Sequence, residues 1–580
     1  MQIFSVEDIL ADHGLAPAQL RALIPNRDNY TVLLCQPEAN ITADTDGVRN
    51  SDAELANEQF SAFLRTAVER DADLAITPEY SLPWKVLADA VEGGTIPTDG
   101  KLWVLGCESI KPDELSALAD RLSGEVAFIY EECTGEQSRF LNPVVFLFQA
   151  QSTEGTSASQ TVALIQFKTC AFGDNQNYEV DNLLLGTRLY RFGGTPTQLR
   201  LITLICSDAF AFTDAHAQTL YDRTLVIHIQ LNQNPRQHQF RTYRAHLFQY
   251  DGHETELITL NWASDIRADI GEGPKCWNNI AGTGWYLRPN RFDTSDQGLQ
   301  RNHRLGLYYT WLDPEKCHAL FFSYEPATFL LTATKVAHIG VTASLSRRIG
   351  PRLKATLRWA SGSRSWEETA QVDDGFLGIA SAAGDAEEDL KALAQTHPLA
   401  VERLLALCDG SSIASEDWYS VTKLDSCRID ATEIIKRVTF CHDTKIEAGR
   451  FRQARLRACQ RAARLLGQSL PRSLSDFQVG YRFDWNEQYP HANAISTQER
   501  RATVIALDNR HNREDAENLR DTLAEYMRRK ANSENDSLEA QQRLHVWYQD
   551  DGRDILCDPY RFTHYDQTTS ESPFDIGRAS

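Results

Sequence analysis

Three residues of different chemistry each stand at the end of an apolar run: Glu79 in ITPEYS, Lys168 in IQFKTC and Cys206 in LITLICSDAF. Side chains at the ends of buried strands are held by a rigid sheet while the loops beside them admit substrate. A cysteine is a strong nucleophile only as thiolate, and both a neighbouring base and a nearby cation favour that form. Glu79 is the expected general base, and Lys168 places positive charge where a tetrahedral intermediate develops its oxyanion. The backbone N–H after Cys206, at Ser207, is a second expected oxyanion donor. Together these groups describe acyl transfer through a thioester, needing a small-molecule substrate and no cofactor or metal. Tyr80 and Asn232 are the residues expected to line the pocket. Singly, a buried Cys is commonly an inert small hydrophobe; the combination in one chain is what points to chemistry.

At these residues the chain resembles the nitrilase superfamily, the carbon–nitrogen hydrolases, whose Glu, Lys and Cys occur in this order. The matching motifs read TPEYS, FKT and ICSDAF, with the three residues 89 and 38 positions apart. QPE near Gln36, YRAHLFQ, LITLNWAS and AGTGWYLRP look like further landmarks, so the resemblance covers roughly residues 30 to 336. It implies a four-layer αββα sandwich that assembles into homo-oligomers, and hydrolysis of an amide, nitrile or carbamoyl C–N bond. Acyl transfer to an amine uses the same triad. Many members carry an additional Glu soon after the Lys; the spacing falls on Gln176 here, and Glu179 is the nearest acidic residue. After the Cys the chain reads Ser207, Asp208, Ala209, Phe210, where members often have Tyr-Asp-x-Arg, so Asp208 matches and the Arg is missing. A reading from another class is a sensor or scaffold that binds a small amide without turnover. Nitrilase-type domains resembling this one are associated with bacterial antiviral defence.

The elements that must position these groups are short apolar runs of buried-strand type alternating with helical segments, the pattern of a layered α/β domain. Strand-like runs cover Tyr30 to Asn40 and a stretch ending at Tyr80, and continue from Lys101, Asn142, Thr161, Leu199, Arg223 and Glu256 to about Val336, with a helix expected over Ala53 to Asp73. The domains expected are a short helical extension over 1–28, the hydrolase-like domain over 29–338, a polar linker over 339–390 and a mainly helical region over 391–580.

In that last region, Arg450, Arg457, Arg461 and Arg464 fall on one stripe of a helix over Lys445 to Gln468, with Ala448, Cys459, Ala462 and Leu466 opposite. The stripe is either an outer face paired with acids or a contact for RNA or an acidic protein partner. Helical periodicity is also present in ATEIIKRVTFC, and ATVIALDN and LHVWYQDD read as strands. Tyr548-Gln549-Asp550-Asp551 matches the YxDD letters of polymerases, but the expected structure is an acidic hairpin turn.

Composition sets the outer bounds. The 580 residues carry 59 Lys and Arg against 80 Asp and Glu, a formal charge of −21, so the chain as a whole repels phosphate backbones and anionic membrane surfaces. No two of the 12 cysteines stand three apart, which argues against a Cys-x-x-Cys metal site and for free thiols in a reducing cytoplasm. The opening MQIFSVEDILADHG is acidic where a signal peptide is basic, and no apolar run approaches a membrane span. There is no GxxxxGK[ST] or SGGxDS loop, so ATP-coupled synthesis is not expected.

Overall fold

The computed structural model describes residues 1–559 apart from 134, 136–137, 154–158, 174–177, 195–198, 221, 234–237, 250–253, 270, 272, 278–282, 289–300, 303–304, 313–316, 324, 338–349, 370–379, 397, 411–445, 469, 487, 490 and 531–533. Gln176 and the helical run expected at Ala431–Cys441 lie outside the described residues. The chain forms two compact units, Met1–Val372 and Asp373–Ser580.

Two large sheets build the first unit. One has nine strands in the order Ser365–Thr369, Arg352–Ala360, Ala327–Ala333, Tyr30–Gln36, Leu74–Leu82, Leu102–Cys107, Pro143–Gln151, Ser159–Phe167, Val126–Tyr130. The other has eight: Gln2–Ser5, Arg188–Phe192, Arg200–Ile205, Thr224–Ile229, Thr255–Leu260, Gly284–Leu287, Cys317–Phe322, Leu307–Leu312. Each contains three successive parallel strands: Tyr30–Gln36, Leu74–Leu82 and Leu102–Cys107 in the first, and Arg200–Ile205, Thr224–Ile229 and Thr255–Leu260 in the second. These strands are apolar nearly throughout, as parallel strands covered on both faces must be. Glu79, Cys206, Leu231 and Asn261 all sit at or just beyond the carboxyl ends of such strands.

The sheets face each other. Gln166, fully buried, donates its Nε2–H to the Thr203 carbonyl at 2.8 Å and accepts from Tyr190 N–H at 2.9 Å. Phe192 packs edge-on against Phe146 and Phe148, with centroids 5.1 and 5.6 Å away. The opposite face of the nine-stranded sheet is covered by helices Ala53–Glu69, Trp84–Glu92 and Pro112–Leu122, whose Phe60, Phe63, Leu87 and Leu115 join Leu33, Ala75, Leu105 and Leu147 in one core. Asp52 caps the first of these helices, accepting from Leu55 N–H.

Two expected boundaries change. Residues 1–28 are not only a helical extension: Gln2–Ser5 pairs in parallel with Arg188–Phe192 at the edge of the eight-stranded sheet, and Arg188 lies over the Phe4 ring. Four residues are too few to leave a periodic signature. The stretch 339–390, expected as linker, contains the hairpin of Arg352–Ala360 with Ser365–Thr369, which extends the nine-stranded sheet. Its polar SWEET run hides an anchor, Trp366, which stacks edge-on against Trp359 and donates its indole N–H to the Gln59 carbonyl of the covering helix.

The region expected to be mainly helical is itself α/β. Helices Glu387–Thr396, Pro398–Cys408, Ile446–Leu466, Arg513–Lys530 and Glu534–Gln542 accompany a five-stranded sheet ordered Tyr481–Phe483, Ala494–Ser496, Arg501–Ala506, Leu544–Asp550, Arg553–Leu556. Only the two longer central strands are legible as runs; the others have three or four residues. Arg501–Ala506 and Leu544–Asp550 run parallel, so the two helices between them form a crossover. The YxDD letters fall on the next hairpin, with Asp551 and Gly552 both at positive φ, 47° and 75°, as a tight two-residue turn requires.

Candidate active site

Glu79 is carried by a distortion in its strand. Thr77 pairs with Leu105 and Leu82 with Cys107, so Pro78, Glu79, Tyr80 and Ser81 are set against the single residue Gly106. Tyr80 takes φ 57°, and the Ser81 hydroxyl closes the bulge by donating to the Pro78 carbonyl at 2.7 Å. Gly106 leaves the room: a Cβ there would lie 2.1 Å from the Pro78 oxygen. Gly106→Ala should therefore displace the Glu79 peptide and cost about 1–3 kcal/mol, measurable by urea unfolding, with a parallel loss of Cys206 reactivity.

The carboxylate that the bulge presents is held on every side. Its Oε1 accepts from Asn142 Nδ2 at 2.7 Å and from Lys168 Nζ at 2.9 Å, and its Oε2 accepts from Leu231 N–H at 2.6 Å. The Trp262 indole donates to the Glu79 backbone carbonyl at 2.8 Å. Lys168 follows the Ser159–Phe167 strand and reaches both Glu79 and Glu179, whose two oxygens each accept from Nζ at 2.7 Å. Tyr80 donates its hydroxyl to Glu179 Oε1 at 2.9 Å, and Phe172 N–H donates to Oε2 at 2.7 Å. Glu179, eleven positions beyond the Lys, is thus the second carboxylate of the cluster.

Cys206 begins the turn Cys206–Phe210 directly after its strand and adopts φ 41°, a left-handed conformation that costs a non-glycine residue about 1–3 kcal/mol. Its thiol lies in the electrostatic field of Glu79, Lys168 and Glu179. Asp208 holds this turn to the Lys168 segment. Its Oδ1 accepts from Thr169 N–H, the Thr169 hydroxyl and Cys170 N–H at 2.7, 2.8 and 3.1 Å, while Oδ2 accepts from Ile205 N–H at 3.1 Å. Ser207 adds a bond from its hydroxyl to the Cys170 carbonyl. Asp208→Ala would strand the buried Ile205 N–H and the half-buried Thr169 and Cys170 N–H groups, and a loss of about 2–3 kcal/mol is expected in chemical denaturation.

The electrostatics follow from burial. Glu79, Lys168 and Cys206 are 1%, 1% and 4% exposed. Burial pushes the Glu79 carboxyl above its ordinary value; Lys168 pulls it back, and Glu179 adds to the rise. Burial works against the Lys168 ammonium, but Glu179, Glu79 and Cys206 outweigh it and hold its pKa well above the usual lysine value. Burial, then Glu79, pushes the Cys206 thiol far up, with Lys168 offsetting only part. Two carboxylates and one ammonium already leave the dry cluster one charge negative, and a thiolate would add another. The resting nucleophile is therefore a thiol, where a thiolate is favoured by the types of the residues alone.

The expected pocket residues divide. Tyr80 is part of the cluster, whereas Asn232 sits beside it, next to Leu231, with its backbone exchanging bonds with the Asn261 side chain at 3.1 and 2.9 Å. Asn142 was not anticipated, since nothing marks an Asn before a strand as catalytic support. His228 was not anticipated either. Fully buried, it places Nε2 2.9 Å from the Cys206 carbonyl oxygen and Nδ1 2.6 Å from the Tyr243 hydroxyl. Among the described residues no group of three or more His, Cys, Asp and Glu could hold a metal ion, and no helix is long and apolar enough to cross a membrane.

The arginine stripe lies on the Ile446–Leu466 helix of the second unit. Arg461 donates to the Ala506 carbonyl and stands 3.9 Å from Asp554, and Arg464 pairs with Asp554. Arg457 is exposed, and the Arg450 side chain lies outside the described residues. Arg461 and Arg464 are thus engaged within their own unit, while Cys459, Ala462 and Leu466 are buried opposite.

No family model and no curated protein matches the chain. Solved structures with some likeness include the glutamine-dependent NAD+ synthetase from Acinetobacter baumannii in complex with ADP, at 12% identity over 55% of this chain and 49% of that one, with TM-score 0.29. The chain thus spans about half that synthetase's length. A variant of an amidase from the nitrilase superfamily of Nesterenkonia AN1 gives 13% identity over 45% of this chain and 84% of that one, with TM-score 0.26. An amidase from Nesterenkonia sp. gives 14% over 44% and 81%, with TM-score 0.25.

Proposed function

We propose that the first unit is a carbon–nitrogen hydrolase of the nitrilase superfamily, a four-layer αββα sandwich with Cys206 as nucleophile, Glu79 as general base and acid, and Lys168 at the oxyanion. The observation that carries this reading is the Lys168 ammonium bridging Glu79 and Glu179 beside a buried cysteine at positive φ. Structural ion pairs do not need a nucleophile in a strained turn. Cys206 Sγ adds to the carbon of a small amide or related C–N compound as its proton passes to Glu79. The oxyanion forms against Lys168 and the Ser207 N–H. Glu79 then returns the proton to the departing nitrogen, ammonia leaves, and the acyl group remains as a thioester. Water, deprotonated by Glu79, releases the carboxylic acid and restores the thiol. Glu179 keeps Lys168 charged throughout.

Glu79 must be a carboxylate to start this cycle, and its pKa is raised, so the rate should be full above that value and fall as pH drops through it. The acid limb of kcat/KM is expected above the ordinary glutamate value of 4.5. The test is ammonia release from a panel of primary amides, nitriles and N-carbamoyl compounds. Release that Cys206→Ala abolishes, with an acyl adduct on Cys206 in intact mass, is expected. Release that survives Cys206→Ala, or a panel with neither ammonia nor adduct, would remove the proposal. Transfer to an added amine in place of water would reassign the second half-reaction only.

A further inference from the structure

Behind the nucleophile lies a polar chain that the mechanism above does not use. His228, in the Thr224–Ile229 strand, meets the Cys206 carbonyl with Nε2, and Tyr243, from the helix His238–Phe248, meets His228 Nδ1. The tautomer follows from the partners. A carbonyl oxygen can only accept, so Nε2 carries the hydrogen; Nδ1 is then a lone pair, and the Tyr243 hydroxyl donates to it. Burial depresses the His228 pKa to about 3, which keeps the ring neutral and this arrangement fixed across the working pH range. The Gln230 amide also approaches Nδ1, at 2.8 Å.

The carbonyl that His228 grips belongs to the peptide joining Cys206 to Ser207. In a trans peptide the C=O and the next N–H point in opposite directions. Fixing the Cys206 oxygen therefore fixes the direction of the Ser207 N–H, the backbone group assigned to the oxyanion. A hydrogen bond to the carbonyl also polarises the amide and strengthens its N–H as a donor. The turn on the far side is held by Asp208 and by the Ser207 hydroxyl, so the peptide plane is clamped from both ends.

We propose that His228, set by Tyr243, is a positioning residue that aims the Ser207 N–H at the oxyanion; this rests on the hydrolase reading above. Its distinctive consequence is selectivity between two reactions of the same sulfur. Acylation by p-nitrophenyl acetate passes through an oxyanion: an S–C bond forms, the thiol proton goes to Glu79 and p-nitrophenolate leaves. Alkylation by iodoacetamide forms an S–C bond and expels iodide with no oxyanion at all.

The experiment compares both rates in the full-length chain for wild type, His228→Leu, His228→Gln, Tyr243→Phe and Cys206→Ala, with melting temperature recorded for each. His228→Leu should slow acylation by about tenfold to a hundredfold while alkylation of Cys206 changes by less than about threefold. His228→Gln, which can still donate to the carbonyl, should recover most of the loss, and Tyr243→Phe should fall between the two. Equal slowing of both reactions in His228→Leu, or no rescue by Gln, would make His228 a packing residue and overturn the proposal. If His228→Leu fails to fold, Tyr243→Phe alone decides: unequal effects on the two rates support the proposal, and equal effects overturn it. Should Cys206→Ala react with p-nitrophenyl acetate as fast as wild type, the hydrolase reading fails instead, and the two failures stay distinct.

Discussion

Lys168→Ala should be the most damaging single change in the chain, and damaging in two separable ways. Its Nζ is within 2.9 Å of Glu79 and 2.7 Å of both Glu179 oxygens, in a largely buried cluster. Removing one partner of such a buried ionic group leaves uncompensated charge and costs about 3–5 kcal/mol. Without the cation, the pKa of Glu79, already raised by burial, rises further in the folded state. The folded variant then binds more protons than the unfolded chain over the window between the two values, so its stability falls as pH rises and recovers toward acid. Thermal unfolding across about pH 5 to 8 should show the variant losing ground most at the alkaline end. The second loss is chemical: with the oxyanion cation gone, acylation should fall by about 10²–10³-fold, even at the acid end where folding recovers.

Glu79→Gln carries the second large effect, and here the two losses come apart. Gln keeps the volume and an oxygen to accept from Lys168 and Asn142, and Glu179 remains to pair the lysine, but the Gln amide NH2 faces the Leu231 N–H that Oε2 satisfies, so the fold should weaken by about 1–3 kcal/mol. What disappears is the group proposed to accept the Cys206 proton. Turnover of amides should drop by about 10²–10⁴-fold, and the acid limb assigned to Glu79 should vanish from the residual rate. A variant that loses activity with its pH profile unchanged would show that another group takes the proton. The contrast between the two substitutions is itself informative: the lysine joins structure to chemistry, while the glutamate acts mainly in the chemistry.

The three central residues were legible because each terminates a buried strand, and strand ends are visible as the point where an apolar run stops. Lys168 and Cys206 sit directly after Phe167 and Ile205, as the runs suggest. Glu79 was legible for a different reason than the one that positions it. Its run reads as a plain strand, whereas the structure lifts four residues out of the ladder over Gly106; a bulge depends on the partner strand, which local sequence does not contain. The second carboxylate was legible as the nearest acid: Glu179, a few positions past the spacing that falls on Gln176, is the residue that meets Lys168.

Supports that come from far along the chain were invisible. Asn142 meets Glu79 across 63 positions from two strands away, and His228 meets Cys206 across 22 from the adjacent strand, placements that only the strand order reveals. The protonation of Cys206 could not be inferred from residue types, since it depends on how completely the cluster excludes water. Short elements escaped for want of length. Gln2–Ser5 and the three small strands of the second unit carry no periodicity, and the Trp359–Trp366 hairpin was masked by its polar neighbours. In the arginine stripe the helical spacing was readable, but the partners were not: Asp554 lies 90 residues beyond Arg464 in sequence.

The central claim is that Glu79 and Lys168 make a buried thiol at Cys206 into a nucleophile. Alkylation by iodoacetamide, followed by peptide mass spectrometry across pH, tests it with the protein's own controls, since Cys276 is exposed and Cys133 and Cys170 are half-buried. Iodoacetamide should label Cys206 at least about tenfold faster than Cys276 near pH 7, through a limb that follows Glu79 and is lost in Glu79→Gln. Labelling of Cys276 while Cys206 stays unmodified, or a Cys206 rate that Glu79→Gln leaves untouched, would contradict it.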